Sequence, residues 1–319
     1  MTDGSTVSGP DTEANQKKYP QPSTQKKGLG FPIIRILVLI TLASGALLDA
    51  AVAPYSGKET GEQALLRQMF DSLNEGDILL GDANFENYFI LAALISANID
   101  GVFEKNGSRI LDFRKCYVKL GSKEGLFKLK RPDRPPWMDE ESYSAVPKEI
   151  IVRAIKTKKR IIVTTLTDTK LYPRKDISDL YIDRWHIELD FRCIKTMMKM
   201  EVLRCKTPEM LRKEIYVHLL VYNLIRALMA KTAETMQRKP REVSFKTAQD
   251  TLLSYHYLLL MGTISIFQIL EIMIQLIGKH KVGNRPGRSE PRAVKRRSKP
   301  TKKLQHPRKQ ARRLTEYKG

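Results

Sequence analysis

The stretch Tyr181-Ile182-Asp183-Arg184-Trp185-His186-Ile187-Glu188-Leu189-Asp190-Phe191-Arg192-Cys193-Ile194-Lys195 decides how the rest of the chain is read. On an α-helix, at about 100° per residue, Tyr181, Arg184, Glu188 and Lys195 project at about 0°, 300°, 340° and 320°, within one wedge of about 60°. Leu180, Ile187, Phe191, Ile194 and Met198 fall beside it at about 220° to 280°, an apolar stripe by which the helix packs. The pattern predicts one helix from about Asp176 to Met200 that presents a phenol, a guanidinium, a carboxylate and an ammonium side by side. Spacing alone favours a solvated i, i+4 ladder, in which an Arg184–Glu188 pair is worth roughly a few tenths of a kcal/mol. Asp183 and Asp190 point away from the wedge, at about 180–200°. His186 and His218 read as packing or surface residues.

Outward from this helix, the chain divides by texture. Its 319 residues are 42% apolar, enough for a sizeable core. Residues 1–30 are polar and turn-rich. The apolar runs at 33–42 and 46–53, with Ala43-Ser44-Gly45 between them, read as a hairpin of two buried strands. A helix over 60–74, a short strand at Ile78-Leu79-Leu80, a helix over 86–97 and a strand at Gly101-Val102-Phe103 follow. From 104 to 170, short β-rich pieces alternate with basic residues, which suggests an inserted β-module. Beyond the 181–195 helix, further helices are expected over 209–232, 244–258 and 263–277. Strands first, a β insertion, then helices: the order predicts an α/β sheet domain interrupted by a smaller β-domain.

Charge points to the partner. The chain carries a net +21, and Lys279–Gly319 holds 16 basic and 2 acidic residues, leaving +7 for the rest. That excess selects a polyanion, nucleic acid first and an anionic membrane surface second. The tail, with Lys295-Arg296-Arg297, Lys302-Lys303, Arg308-Lys309 and Arg312-Arg313, lacks apolar periodicity and is expected to be disordered and to bind nucleic acid with little sequence preference. Two apolar runs could be mistaken for membrane spans. Ile36–Leu48 is too short for the ~20 residues a span needs. Tyr257–Gly278 carries Gln268, Glu271 and Gln275, and reads as a buried or partner-facing helix. Cys116, Cys193 and Cys205 are odd in number and form no C-x-x-C pair, which supports neither a disulfide framework nor a zinc site.

The Y-x-x-R-x-x-x-E-x(6)-K pattern of Tyr181, Arg184, Glu188 and Lys195 resembles the signature of a group of bacterial insertion-sequence DDE transposases. The continuation resembles their downstream block: Leu203-Arg204-Cys205-Lys206-Thr207-Pro208-Glu209-Met210, then Lys213-Glu214-Ile215, His218-Leu219-Leu220 and Tyr222-Asn223-Leu224-Ile225-Arg226. The resemblance implies an RNase H-like catalytic core in which three carboxylates bind metal. Glu188 matches the third and Asp82, in Gly81-Asp82-Ala83-Asn84-Phe85, the second; Ala83 stands where a basic residue often follows. Asp3, in Asp3-Gly4-Ser5-Thr6, matches the first. The cofactor implied is a pair of Mg²⁺ ions, for which Mn²⁺ can substitute. By themselves Asp82 reads as a turn residue ending a strand and Asp3 as a disordered terminal residue. The resemblance further implies that Tyr181, Arg184 and Lys195 contact the transposon end. Trp137, in the insertion, is open to two readings: stacking on a flipped base, or closing the core of the β-module.

The organisation expected is therefore α/β. A catalytic core over 1–103 is interrupted by a β-rich insertion over 104–170 and resumes over 171–232 with the Y-R-E-K helix. C-terminal helices over 233–278 and a disordered basic tail over 279–319 follow. In the family, the first aspartate follows a central strand and a separate end-recognising region; with Asp3 near the start, both are expected to be missing and the chain truncated. The function implied is metal-dependent DNA cleavage and strand transfer at insertion-sequence ends. Partners would be transposon-end and target DNA and a second copy of the chain in a synaptic homodimer, at the cytoplasmic nucleoid and without a membrane. The alternatives are a non-catalytic DNA-binding or dimerising remnant that modulates a full-length enzyme, and a membrane-associated basic protein.

Overall fold

Strand β1 (Thr2–Ser8) pairs along its whole length with the apolar run that the sequence marks as a buried strand, β2 (Ile33–Ile40). The structure, a computed structural model, describes residues 1–262, 264–280, 282 and 304–316. The pairing is antiparallel and sets Asp3 opposite Val38. Between the two strands lies a short helix, α1 (Glu13–Lys18), capped by the Thr12 hydroxyl, which accepts from the Asn15 N–H. β2 turns back into β3 (Leu47–Pro54) through Gly45, which sits at φ 73°, so the expected hairpin is present. The strand at 2–8 was not expected. Asp3 lies inside a strand, where the sequence reading has it following a missing one, and it is ordered by this pairing.

β2 is buried on both faces, and its two-residue period separates two cores. Ile34, Ile36, Val38 and Ile40 join one apolar cluster, and Leu37 and Leu39 the other. The second cluster lies under α2 (Glu62–Gln68) and α3 (Tyr88–Ser96). α3 is the crossover between two parallel strands, β4 (Ile78–Gly81) and β5 (Asp100–Glu104). β1 runs next to β4, so the two sheets adjoin there.

The β-rich segment does not form a sheet of its own. β6 (Val118–Gly121), β7 (Glu124–Lys130), β8 (Glu149–Lys156) and β9 (Ile161–Thr164) extend the sheet of β4 and β5 in the order β4-β5-β9-β8-β7-β6. The join is the antiparallel pairing of β5 with β9. A short helix, α4 (Glu140–Ala145), lies between β7 and β8.

The helix expected over 176–200 is broken. α5 (Arg174–Asp183) ends at Arg184, and α6 (His186–Arg192) begins after Trp185. Across the break the hydrogen bonds tighten to i→i+3: Ile187 N–H to Arg184 O and Glu188 N–H to Trp185 O, both at 3.1 Å. Then Cys193–Met197 loosens into a π-helical turn, closed by Met198 N–H on Cys193 O at 3.0 Å. The break and the turn change the rotation per residue: Tyr181 falls in the core, while Arg184 lies against Glu188 and Glu188 shares a cleft with Lys195.

Helix α7 (Pro208–Thr235) starts on a Thr207 cap with Pro208 in its first turn. It is followed by α8 (Phe245–Met261) and α9 (Ile266–Gly278). Gly262, at φ 63°, ends α8 and divides the apolar run 257–278. Among the described residues no helix is long and apolar enough to cross a membrane. The tail corrects an expectation in part. Arg308–Glu316 is a helix, α10, and the Arg308 guanidinium sits on the Asp11 carboxylate at 2.6 Å, an ion pair that gives this piece a fixed seat. Lys295-Arg296-Arg297 and Lys302-Lys303 lie outside the described residues.

Candidate active site

Three elements carry the acidic residues. β1 supplies Asp3, the end of β4 supplies Asp82, and α6 supplies Glu188. The adjacency of β1 and β4 places the first two at one edge of the sheets, where open α/β sheets bind ligands. Asp3 Oδ1 accepts the Gly4 N–H at 2.8 Å, and Asp82 Oδ1 accepts the Asn84 N–H at 2.8 Å.

Arg184 occupies the space between Asp3 and Glu188. Its Nη1 is 3.9 Å from Asp3 Oδ2 and its Nη2 is 3.8 Å from Glu188 Oε1. The buried Nε has no hydrogen-bond partner. Burial pushes the Asp3 carboxyl up to about 6; the charges of Asp82 and Glu62 add to the rise, while the Gly4 N–H and Arg184 oppose it. A carboxylate in that field needs more positive charge than one guanidinium at 3.9 Å provides.

Glu62 is the residue that sequence reasoning missed. It lies in the first turn of α2, and its Oε1 fills the space that a Cβ on Gly4 would need, 2.2 Å from that position. Its Oε2 accepts from Asn84 Nδ2 at 2.8 Å, so Asn84 ties it to the Asp82 turn. No motif spacing links position 62 to 3 and 82; only the fold does. Glu62 is a fourth carboxylate at this edge.

The other signature residues have different surroundings. Lys195 donates to Ser5 Oγ on β1 at 3.0 Å, and burial lowers its pKa. With Asp3, Ser5 and Glu188 it lines a cleft of about 350 Å³. Tyr181 is 1% exposed and part of the core; its hydroxyl is 3.5 Å from Glu104 Oε2, and burial raises its pKa. The phenol is therefore buried and is not among the residues that line the cleft. Trp137 is 37% exposed. It meets Phe89 of α3 edge to face at 5.7 Å, and the Arg67 guanidinium lies 3.7 Å over its ring. The indole thus packs across onto α3 and α2, and also borders a polar cleft that it shares with Arg35, Glu62 and Asn84.

The donors suit a hard divalent cation, since they are all carboxylate oxygens. Their positions leave the set open: among the described residues, no three His, Cys, Asp or Glu side chains converge closely enough to hold an ion. Arg184 stands between the charges of Asp3 and Glu188, and Glu188, 42% exposed, also lines the cleft.

The downstream block has a structural role. Tyr222 donates to Gly45 O at 2.7 Å, and Asn223 brackets Leu47 by two hydrogen bonds of 2.8 Å. Arg226 meets Asp190, which is fully buried, and Arg241 Nη2 reaches the same carboxylate at 3.0 Å. α7 is thereby bolted both to the β2–β3 turn and to the helix that carries Glu188. The sequence reading placed Asp190 away from the wedge, and its partners show what it does there.

Comparisons with known proteins bear on the family of the chain. The chain is 27% identical over 304 residues to the transposase InsG for insertion sequence element IS4 of Escherichia coli (strain K12), covering 90% of this chain and 65% of that protein. It therefore spans about 65% of that relative's length. A shorter stretch of 65 residues, 20% of this chain, is 34% identical to the putative transposase InsL for element IS186A of the same strain, covering 17% of it. The same length and identity relate it to the transposase for element IS421 of Escherichia coli. A family model described as the transposase DDE domain matches residues 1–224, from the strand of Asp3 through the helix of Glu188 and into α7, and the chain belongs to that family.

Proposed function

We propose that this chain carries the catalytic core of a DNA transposase that cleaves and joins DNA strands at insertion-sequence ends, with Asp3, Asp82 and Glu188 as its metal-binding carboxylates. The observation that supports this most directly is the Arg184 guanidinium held between Asp3 and Glu188, with Asp82 acting on Asp3 from the neighbouring strand. Four acidic side chains, Glu62 among them, crowd a chain that is otherwise strongly basic. Such crowding suits a site that binds a cation.

The metal would be Mg²⁺, or Mn²⁺ in its place, held by Asp3, Asp82 and Glu188. When bound, a pair of such ions activates the attacking oxygen and stabilises the leaving oxygen of a phosphodiester. The side chains do the rest. Arg184, once its carboxylates are engaged elsewhere, presents a planar fork suited to a phosphate of the bound strand. Lys195, held against Ser5, adds a point charge along the same cleft. Tyr181 keeps Arg184 in place from the core, its ring centroid 5.8 Å from the guanidinium carbon. Trp137 offers an aromatic face beside the polar cleft, against which an unstacked base can lie. The segment 104–170 acts as the insertion of the core, and a second copy of the chain as partner in a synaptic pair at the nucleoid.

The test uses the full chain, Mg²⁺ or Mn²⁺, and duplexes carrying the DNA that flanks its coding sequence. Strand cleavage that disappears in Asp82→Asn and Glu188→Gln, with DNA binding retained, is expected. Undiminished cleavage in either variant removes the assignment.

A further inference from the structure

The turn that carries Asp82 is held from outside by a buried charge pair. Glu86, at the other end of this turn, has a fully buried side chain, and its Oε1 lies 2.6 Å from Nε of Arg109, a charge contact without the geometry of a hydrogen bond. Its Oε2 accepts the Asn106 N–H at 3.0 Å. Asn106 returns the link: its Nδ2 donates to the carbonyl of Ala83, the residue after Asp82, at 3.1 Å. Lys105 Nζ then closes the 105–109 loop by donating to the carbonyls of Asn106 and Arg109, both at 2.7 Å. This loop follows β5 and opens the path to β6. The first loop of the β-rich segment thus grips the Asp82 turn by one charge pair and two hydrogen bonds.

A buried ion pair is a poor way to gain stability, because desolvating both charges offsets most of their attraction. It is a good way to fix one loop against another, since either charge alone is strongly disfavoured there. We propose that Glu86 and Arg109 are positioning residues for Asp82, acting through Asn106 and Ala83, so that the β-rich segment sets where the second carboxylate of the metal centre stands. This rests on the metal-centre reading above. Residues that orient a metal ligand through a hydrogen bond are worth about 10–100-fold in metal affinity when changed.

The chain contains its own reference. Arg153 of β8 and Glu124 of β7 form an equally buried pair, at 1% and 12% side-chain exposure, whose further hydrogen bonds go to the carbonyls of Leu166 and Tyr172. Loss of that pair should cost stability without reaching Asp82.

The experiment measures Mn²⁺ binding to the whole 319-residue chain, stripped of metal, by the electron paramagnetic resonance of free Mn²⁺, beside thermal unfolding of the same samples. Asp82→Asn should abolish or greatly weaken binding. Glu86→Gln should weaken it about 10-fold or more, and Arg109→Lys by less. Glu124→Gln should lower the unfolding temperature comparably and leave Mn²⁺ binding as it was. Asn106→Ala keeps both charges and loses the contact with Ala83, so it should weaken binding too, and it decides the matter if Glu86→Gln does not fold. Equal Mn²⁺ affinity in Glu86→Gln and the unaltered chain, or an equal loss in Glu86→Gln and Glu124→Gln, overturns the positioning role alone. Binding that Asp82→Asn does not change overturns the metal-centre reading and this inference with it.

Discussion

Arg184 stands 3.9 Å from the Asp3 carboxylate, close enough to offset its charge and too far to satisfy it by a hydrogen bond. The guanidinium is also 3.8 Å from Glu188, so one cation serves two carboxylates on separate elements. In a metal-free chain this arrangement holds α6 against β1.

Replacing Arg184 therefore has two separable effects. Arg184→Ala should lower the stability of the metal-free chain, by about 1–2 kcal/mol for a partly buried charge contact, read by urea unfolding in EDTA. Saturating Mn²⁺ should restore much of that loss, because the ion replaces the missing charge. Cleavage should stay low, since the phosphate contact is gone. Full activity in Arg184→Ala would remove the phosphate role.

The raised pKa of Asp3 gives a pH dependence with a definite sign. Its folded value is about 6 against an ordinary 3.8, so the folded state binds the proton more tightly. Stability from this group is complete below about pH 4 and is lost as pH rises through about 6. In EDTA, Asp3→Asn should thus gain on the unaltered chain as pH rises from 4 to 7, by up to about 2–3 kcal/mol before solvent screening of a partly exposed group reduces it. A difference between the two unfolding curves that stays flat over this range would contradict the burial and charge crowding given for Asp3.

Much of the fold could be read from the sequence where burial is complete. The run at 33–40 lies between two cores and is apolar at nearly every position, so it announces a central strand. β1 could not be read this way. Of its seven residues only Thr2 and Val7 are buried, and the polar series between them is half-buried with no apolar alternation to mark a strand. Asp3 was found by resemblance, not by pattern. The break at Arg184 was hidden because the 3.6-residue period passes through it unchanged in sequence, while the i→i+3 turn and the later π turn alter the actual rotation. Tyr181 consequently faces the core instead of sharing a wedge with Glu188. Glu62 and the Glu86–Arg109 pair depend on contacts between distant segments, which no local spacing encodes.

Two glycines should respond oppositely to alanine. At Gly4, a new Cβ meets the Glu62 side chain from its carboxyl to its Cγ, at 2.2 to 2.8 Å, a flexible chain that can rotate away by giving up Asn84. Gly4→Ala should change stability by less than about 1 kcal/mol while displacing Glu62 from Asp3. At Gly45, φ is 73° and the new Cβ would lie 2.8 Å from Cζ of Arg226, which is pinned by Asp190 and Tyr222. Gly45→Ala should cost about 1–3 kcal/mol from backbone strain, and more if Arg226 is forced from its partners. Chemical denaturation of both variants checks the contrast, and a costlier Gly4→Ala would reverse it.

Asp190 should be the most sensitive charge in the chain outside the cleft. Its side chain is fully buried between Arg226 and Arg241, at 5% and 15% exposure, and Arg241 also donates to the carbonyls of Thr41 and Leu42 at the end of β2. Asp190→Ala leaves two guanidinium groups facing each other without a counter-charge. Removing one partner of a buried pair costs about 3–5 kcal/mol, a large part of the stability of an ordinary domain. Asp190→Asn keeps the shape and the acceptor oxygen yet loses the charge, so it should fall between the unaltered chain and Asp190→Ala. The loss should travel to the site: α6 carries both Asp190 and Glu188, and loosening its bond to α7 should weaken Mn²⁺ binding even at temperatures where the chain is still folded. Denaturation midpoints for the two variants, with Mn²⁺ affinity measured well below them, test both parts. An Asp190→Ala chain as stable as the unaltered one would show that α7 is held by its apolar face and its hydrogen bonds to the β2–β3 turn, without help from Asp190.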